Sequence, residues 1–139
     1  MAVERSLILL KPDCLEGGHS GEVMSRFAAA GFAIRGAKMI QLTDKILDIH
    51  YAHLTVLPFF TNIKEFMKSA PVLALILEGE DAVSRIRELL GPTDSTKAPP
   101  GTIRGDLGVS SMMNIAHASD SPENAQVEID RFFEPGEVF

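Results

Sequence analysis

The chain has 139 residues, of which 45% are hydrophobic and 23% charged. That is the composition of a folded globular domain and excludes an intrinsically disordered chain. The net charge of −6 argues against a general nucleic-acid or anionic-membrane surface, so an anionic small substrate requires local convergence of a few basic residues. One cysteine, Cys14, excludes an internal disulfide, and no CxxC pair or Cys/His cluster points to structural zinc.

Taken in chain order, Ser6 to Leu10 reads as a buried strand, stopped by Lys11-Pro12-Asp13. Its apolar run is too short for a signal-peptide core or a membrane span, so a soluble, cytoplasmic protein is expected. Glu22 to Ala30 carries Val23, Met24, Phe27 and Ala28 at helical spacing, with Gly31 as a stop. Phe32 to Leu42 returns to strand character. Thr43-Asp44 caps a helix carrying Ile46, Leu47 and Ile49. Leu57-Pro58-Phe59-Phe60 breaks the pattern before a short helix over Asn62 to Met67. Val72 to Leu77 is the most apolar run and predicts a central strand. Asp81 to Leu90 is an amphipathic helix with Val83, Ile86, Leu89 and Leu90 inward.

Gly91 to Gly101 is too rich in Pro and turn formers for regular structure. Asn114 to Ser119 predicts a short final strand, and Ser121 caps a last helix with Pro122 at its first position. Without accessory pieces the order is βαββαβ, a single ferredoxin-like α+β domain with a four-stranded antiparallel sheet, accessory helices and a long loop. Such a fold carries many unrelated activities.

No phosphate-cradling G-x-x-x-x-G-K-[ST] and no G-x-G-x-x-G is present. Phosphate chemistry would therefore rest on side chains. Three cations stand out: Lys11 at a strand end, Arg87 on the helix before the long loop, and Arg104 after it. Each also has an ordinary reading. Lys11 is a solvated strand end, Arg87 a surface ion pair with neighbouring acids, and Arg104 a partner of Asp106 that pins the turn. His117 alone reads as a packed or surface histidine. His19, His50 and His53 have no metal-like partner set and read as structural or exposed. Glu128 lies at the edge of the last helix's apolar stripe of Ala125, Ile129, Phe132 and Phe133. A partly buried carboxylate needs a partner, and the ring of His117 is a candidate, as in the base–orienter half of a nucleophilic site.

The motifs KPD at Lys11 to Asp13, GE at Gly21-Glu22, RF at Arg26-Phe27 and HY at His50-Tyr51 are followed in order by several more. These are PFF at Pro58 to Phe60, EG at Glu78-Gly79, LLG at Leu89 to Gly91, PGTIRGD at Pro100 to Asp106, and N-I-x-H-x-S-D-S from Asn114 to Ser121. In this register the chain resembles the nucleoside diphosphate kinases over nearly its whole length. The resemblance implies transfer of the terminal phosphate of a nucleoside triphosphate, with ATP as donor, to a nucleoside diphosphate. The route is ping-pong through a phosphohistidine, with Mg²⁺ on the nucleotide phosphates.

The resemblance makes His117 the nucleophile, with Glu128 on the ring nitrogen that does not attack and Ser119 supporting that pair. Lys11, Tyr51, Arg87, Thr93, Arg104 and Asn114 would hold phosphates and ribose, Lys11 also serving catalysis. Phe59 would stack on the base, with Ile63 beside it. The family also implies a homo-oligomer, a hexamer or a tetramer. The chain departs from the family pattern at Cys14, Gly17, Leu57 and Ser111 to Met113 and keeps the nucleophile and phosphate-binding set. A rival reading is a non-catalytic nucleotide-binding or regulatory module of the same fold. A weaker one is an interaction protein in which Lys11, Arg87 and Arg104 point apart.

Overall fold

In a computed structural model describing residues 2–139, two long apolar strands pair at the centre of a sheet. β1 (Val3–Leu10) runs antiparallel to β3 (Val72–Glu80), with Leu7 opposite Ile76 and Leu9 opposite Ala74. Leu7 to Leu10 are fully buried, which is why neither strand shows the alternation of a half-exposed sheet: both faces are covered. β2 (Ala33–Ile40) pairs antiparallel with β3, and β4 (Ala116–Ala118) antiparallel with β1, giving the order β2-β3-β1-β4. β2 is bulged between Ile34 and Gly36. A Cβ at Gly36 would meet Ile76 Cδ1 at 2.9 Å and Phe133 Cε2 at 3.0 Å, so glycine permits the close approach of the C-terminal segment.

On one face lie α2 (Ser20–Ala29) and α5 (Ala82–Leu90). Val23, Phe27, Ile86 and Leu90 pack there against Ile8, Leu10, Leu75 and Leu77. On the other lie α3 (Asp44–His50), α4 (Phe60–Lys68) and α7 (Pro122–Phe132). Leu47, Met67, Ile129 and Phe132 cover Leu7, Leu9 and Ile76 from that side. Thr43 Oγ1 accepts from the Ile46 amide, and Ser121 Oγ from the Asn124 amide, as their cap positions predict. The fold is ferredoxin-like α+β, as expected.

Three elements differ from the reading of the chain. Pro12 does not simply stop β1; it is the first residue of a one-turn helix, α1 (Pro12–Glu16). Residues after the long loop form a second short helix, α6 (Ile103–Leu107), capped by Thr102, whose hydroxyl accepts from the Gly105 amide at 3.0 Å. The loop itself contains a 3-10 turn at Ser95–Lys97. Ile49, one of the apolar residues carried by α3, is 48% exposed. Among the described residues no helix is long and apolar enough to cross a membrane.

Candidate active site

The ends of β1 and β4, the loops beside α5 and the faces of α3, α4 and α7 enclose a cleft of about 890 Å³. Lys11, Arg87 and Arg104 all line it, together with His117. The interaction-protein reading required these cations to point apart, and they do not. Tyr51, Thr93, Asn114 and Glu128 also line the cleft, and Phe59 and Ile63 form an apolar side of it. Phe59 is half exposed, leaving a phenyl face open to a flat apolar ligand. Ser119 is fully buried behind the wall.

His117 stands on β4 opposite Leu9 of β1. Its Nε2 lies 3.0 and 3.1 Å from the two oxygens of Glu128, on α7. A carboxylate only accepts, so these partners assign the ring proton to Nε2. Nδ1 is left without a hydrogen-bond partner among the described residues. The Ser119 hydroxyl donates to Glu128 Oε1 at 2.7 Å while accepting from the Leu7 amide at 3.0 Å. Burial pushes the Glu128 carboxyl up, but hydrogen bonds from His117 and Ser119 and the nearby imidazoles outweigh it and hold it below the usual range.

The cations are positioned mainly by backbone carbonyls. Lys11 Nζ donates to Met112 O at 2.6 Å and Asn114 Oδ1 at 2.8 Å, leaving one N–H for a ligand. Burial lowers Lys11 to about 8, with Asp13 opposing and Arg104 adding to the effect. Arg104 does not pair with Asp106, as the turn-pinning reading supposed. Asp106 instead accepts from the Gly101 amide and pairs with Arg26 at 2.9 Å. Arg104 is buried and spreads its fork over three carbonyls: Gly91 at 2.9 Å, Asn114 at 3.1 Å and Ala116 at 2.6 Å. Burial and the charge of Arg87 lower it to about 10, so it stays charged at neutral pH. Gly91 offers its carbonyl from the end of α5 at φ 84°, where a Cβ would strike the Thr102 hydroxyl at 2.8 Å. Arg87 is exposed, donates to Ala118 O at 3.3 Å, and makes no ion pair among the described residues, against the surface-pair reading.

Between these groups runs a strained turn. Ile115 has φ 78°, and the Ala116 amide donates to Asn114 O at 2.9 Å, closing a three-residue turn around a β-branched residue. This is the rare, strained form of γ-turn, costing of order 1–3 kcal/mol.

His50, expected to be structural or exposed with no metal-like partner set, is buried and lines the cleft. Its ring meets that of His117 edge-on at a centroid distance of 4.6 Å. Arg131 Nη1 donates to its Nδ1 at 2.9 Å, and that nitrogen lies 3.9 Å from Glu128 Oε2. Burial, then the charges of His117 and its neighbours, lower His50 to about 3, so it stays neutral. Burial and Glu128 raise Tyr51 to about 12. The HY dipeptide was the one signal for His50 and the KPD motif the one for Asp13; Arg131 had none. His50, His117 and Glu128 offer ligand atoms within 4.8 Å of one another. Two imidazoles and a carboxylate already bonded to His117 and Ser119 do not suit Mg²⁺, which prefers an octahedron of oxygens.

A sequence profile for the family described as Nucleoside diphosphate kinase matches residues 4–138. The nucleoside diphosphate kinase of Parabacteroides distasonis is 47% identical over 137 residues, covering 99% of this chain and 90% of its own. The chain belongs to the nucleoside diphosphate kinase family. The enzyme of the same name from Aquifex aeolicus is also 47% identical, over 142 residues covering 99% of both chains. Its crystal structure superposes with a TM-score of 0.94 over 99% of this chain and 100% of that one. The Halobacterium salinarum nucleoside diphosphate kinase, solved in complex with CDP, superposes at 0.95 with 35% identity, covering 99% of this chain and 92% of that one. The reaction is accordingly the transfer of the terminal phosphate of a nucleoside triphosphate to a nucleoside diphosphate.

Proposed function

We propose that His117 Nδ1 is the atom that carries the phosphoryl group between the two nucleotides. The observation behind this is the pairing of Nε2 with Glu128, which leaves the other ring nitrogen unengaged in a cleft with three cations. In the first half-reaction the Nδ1 lone pair attacks the terminal phosphorus of the triphosphate. An N–P bond forms, the bond from phosphorus to the bridging oxygen breaks, and the diphosphate departs with that electron pair. The ring gains positive character as the bond forms, and the Glu128 carboxylate stabilises it while keeping the Nε2 proton in place. In the second half-reaction a terminal oxygen of an incoming diphosphate attacks that phosphorus; an O–P bond forms, the N–P bond breaks, and Nδ1 recovers its lone pair.

Phosphoryl transfer depends mainly on positioning and on charge at the equatorial oxygens. Lys11, Arg87 and Arg104 supply that charge, and Tyr51, Thr93 and Asn114 supply polar contacts to phosphates and ribose. Phe59, with Ile63 beside it, takes the base by stacking, which every base accepts. Magnesium enters with the substrate, as MgATP, and offsets charge on the phosphate oxygens that carry it. The reading includes ATP as donor, a cytoplasmic location suited to a lone thiol, and a homo-oligomer, hexamer or tetramer. Ile34 and Met39 on the edge strand β2 are 50% and 59% exposed and available to a partner copy.

Incubation with γ-labelled MgATP is expected to give an acid-labile, alkali-stable phosphoprotein, and His117→Asn to abolish it. Nucleotide binding by the folded protein with neither label nor transfer would refute the assignment and favour the non-catalytic module.

A further inference from the structure

Asp13 touches neither the cleft nor the His117 ring, yet it holds the backbone that aims that ring. Its Oδ2 accepts from the Ile115 amide at 3.0 Å. The Ile115 carbonyl accepts from the Lys11 amide at 2.9 Å. Thus both polar groups of the left-handed residue are taken by the start of α1, while Arg104 takes the carbonyls on either side of it. Neither Asp13 nor Ile115 lines the cleft, and His117 follows two residues later. A β-branched residue at φ 78° persists only where its surroundings over-determine it.

We propose that Asp13 is a positioning residue for phosphoryl transfer, locking the strained Asn114–Ile115–Ala116 turn so that His117 Nδ1 meets the phosphorus in line. α1 explains why an acid stands there. Pro12 at its first position needs no amide partner, and the next side chain is thereby turned toward the Ile115 N–H. The other oxygen, Oδ1, is buried and has no hydrogen-bond partner among the described residues, so Asp13 is held for the bond its Oδ2 makes. Without that acceptor the turn can relax toward ordinary backbone geometry and carry the imidazole with it. A displacement of about 1 Å in a reacting group lowers a rate roughly a hundredfold.

The inference rests on His117 being phosphorylated, and the experiment separates the two claims. Rapid-quench labelling with γ-labelled MgATP is measured for the full chain, Asp13→Ala, Asp13→Asn and His117→Asn, with ADP affinity by calorimetry in parallel. Asp13→Ala is expected to slow labelling roughly 10- to 100-fold while ADP affinity changes by less than about threefold, the signature of an interaction made for the transition state. Asn keeps a carbonyl oxygen for the Ile115 amide but no charge, and is expected to recover the rate to within about fivefold. If Asn is as slow as Ala, Asp13 acts through its charge on Lys11 and the proposal falls. It falls equally if Ala labels at the parent rate, or loses ADP affinity in proportion to rate. Absence of label in the unmodified chain would instead overturn the assignment of His117.

Discussion

Lys11 offers a sharp test of the electrostatics of the cleft, with pH as the perturbation. Burial lowers it from 10.5 to about 8, which corresponds to about 3 kcal/mol of disfavoured charge. Raising the pH from 7 to 9 therefore discharges it in the unliganded protein. The neutral amine keeps its donors to Met112 O and Asn114 Oδ1 but loses the third N–H and the charge that a phosphate would meet. Binding a diphosphate favours the charged form and draws the proton back. At pH 9, about 0.9 proton should be taken up per ADP bound, and affinity should fall about tenfold from its value at pH 7. Calorimetry of ADP binding in two buffers of different ionisation enthalpy measures the uptake. Uptake below about 0.2 proton at pH 9, with affinity flat from pH 7 to 9, would refute this reasoning. The same linkage bears on stability: between about pH 8 and 10.5 the unfolded chain binds the extra proton, so this group makes stability rise with pH in that window.

Other expectations concern the residues around the nucleophile. Glu128→Gln keeps an acceptor for Ser119 but sets an amide N–H₂ against His117 Nε2 and removes the charge facing the ring. A loss of about 1.5–3 kcal/mol in transition-state stabilisation, or roughly 10- to 150-fold in kcat, should follow in a coupled assay. A loss under about twofold would contradict the role given to the carboxylate. The Glu128 carboxyl is held low in the fold, so its stabilising contribution is present above the ordinary carboxyl range and fades as pH falls through the lowered value. The stability gap between parent and Gln variant should close under acid. Arg104→Lys replaces a fork on three carbonyls with one ammonium. Losing partners for buried carbonyls should destabilise the fold by about 2–4 kcal/mol, read as a lower denaturation midpoint at constant m-value. A change under about 1 kcal/mol would contradict the clamp.

The parts of the fold that could be read from the chain are those where burial leaves a periodic trace. Leu7 to Leu10 and Val72 to Leu77 are continuous apolar runs because both sheet faces are covered, and Ile86 and Leu90 mark the inner stripe of α5. The Ser121 cap and the position of Glu128 at a stripe edge pointed to a carboxylate turned toward His117, and the distance of 3.0 Å agrees. α1 and α6 escaped because five residues are too few to display a helical period. His50 escaped because its burial depends on His117 and Arg131, which are remote in sequence. Asp106 looked like the partner of Arg104 because they are near neighbours in the chain. In the folded chain Arg26 arrives from α2, and the carbonyls of Gly91, Asn114 and Ala116 take Arg104.

One further consequence lies in how His117 and Glu128 share a single short stretch of chain. Glu128 follows the Ser121 cap by seven residues, close to two full turns, so its direction is set by counting residues from that cap. A helix advances about 100° per residue. An insertion or deletion between Ser121 and Glu128 would swing the carboxylate off the ring even with every side chain retained. The spacing across this stretch is thus as strict a requirement as the identities of its residues, and a segment grafted into another scaffold would have to carry its length intact.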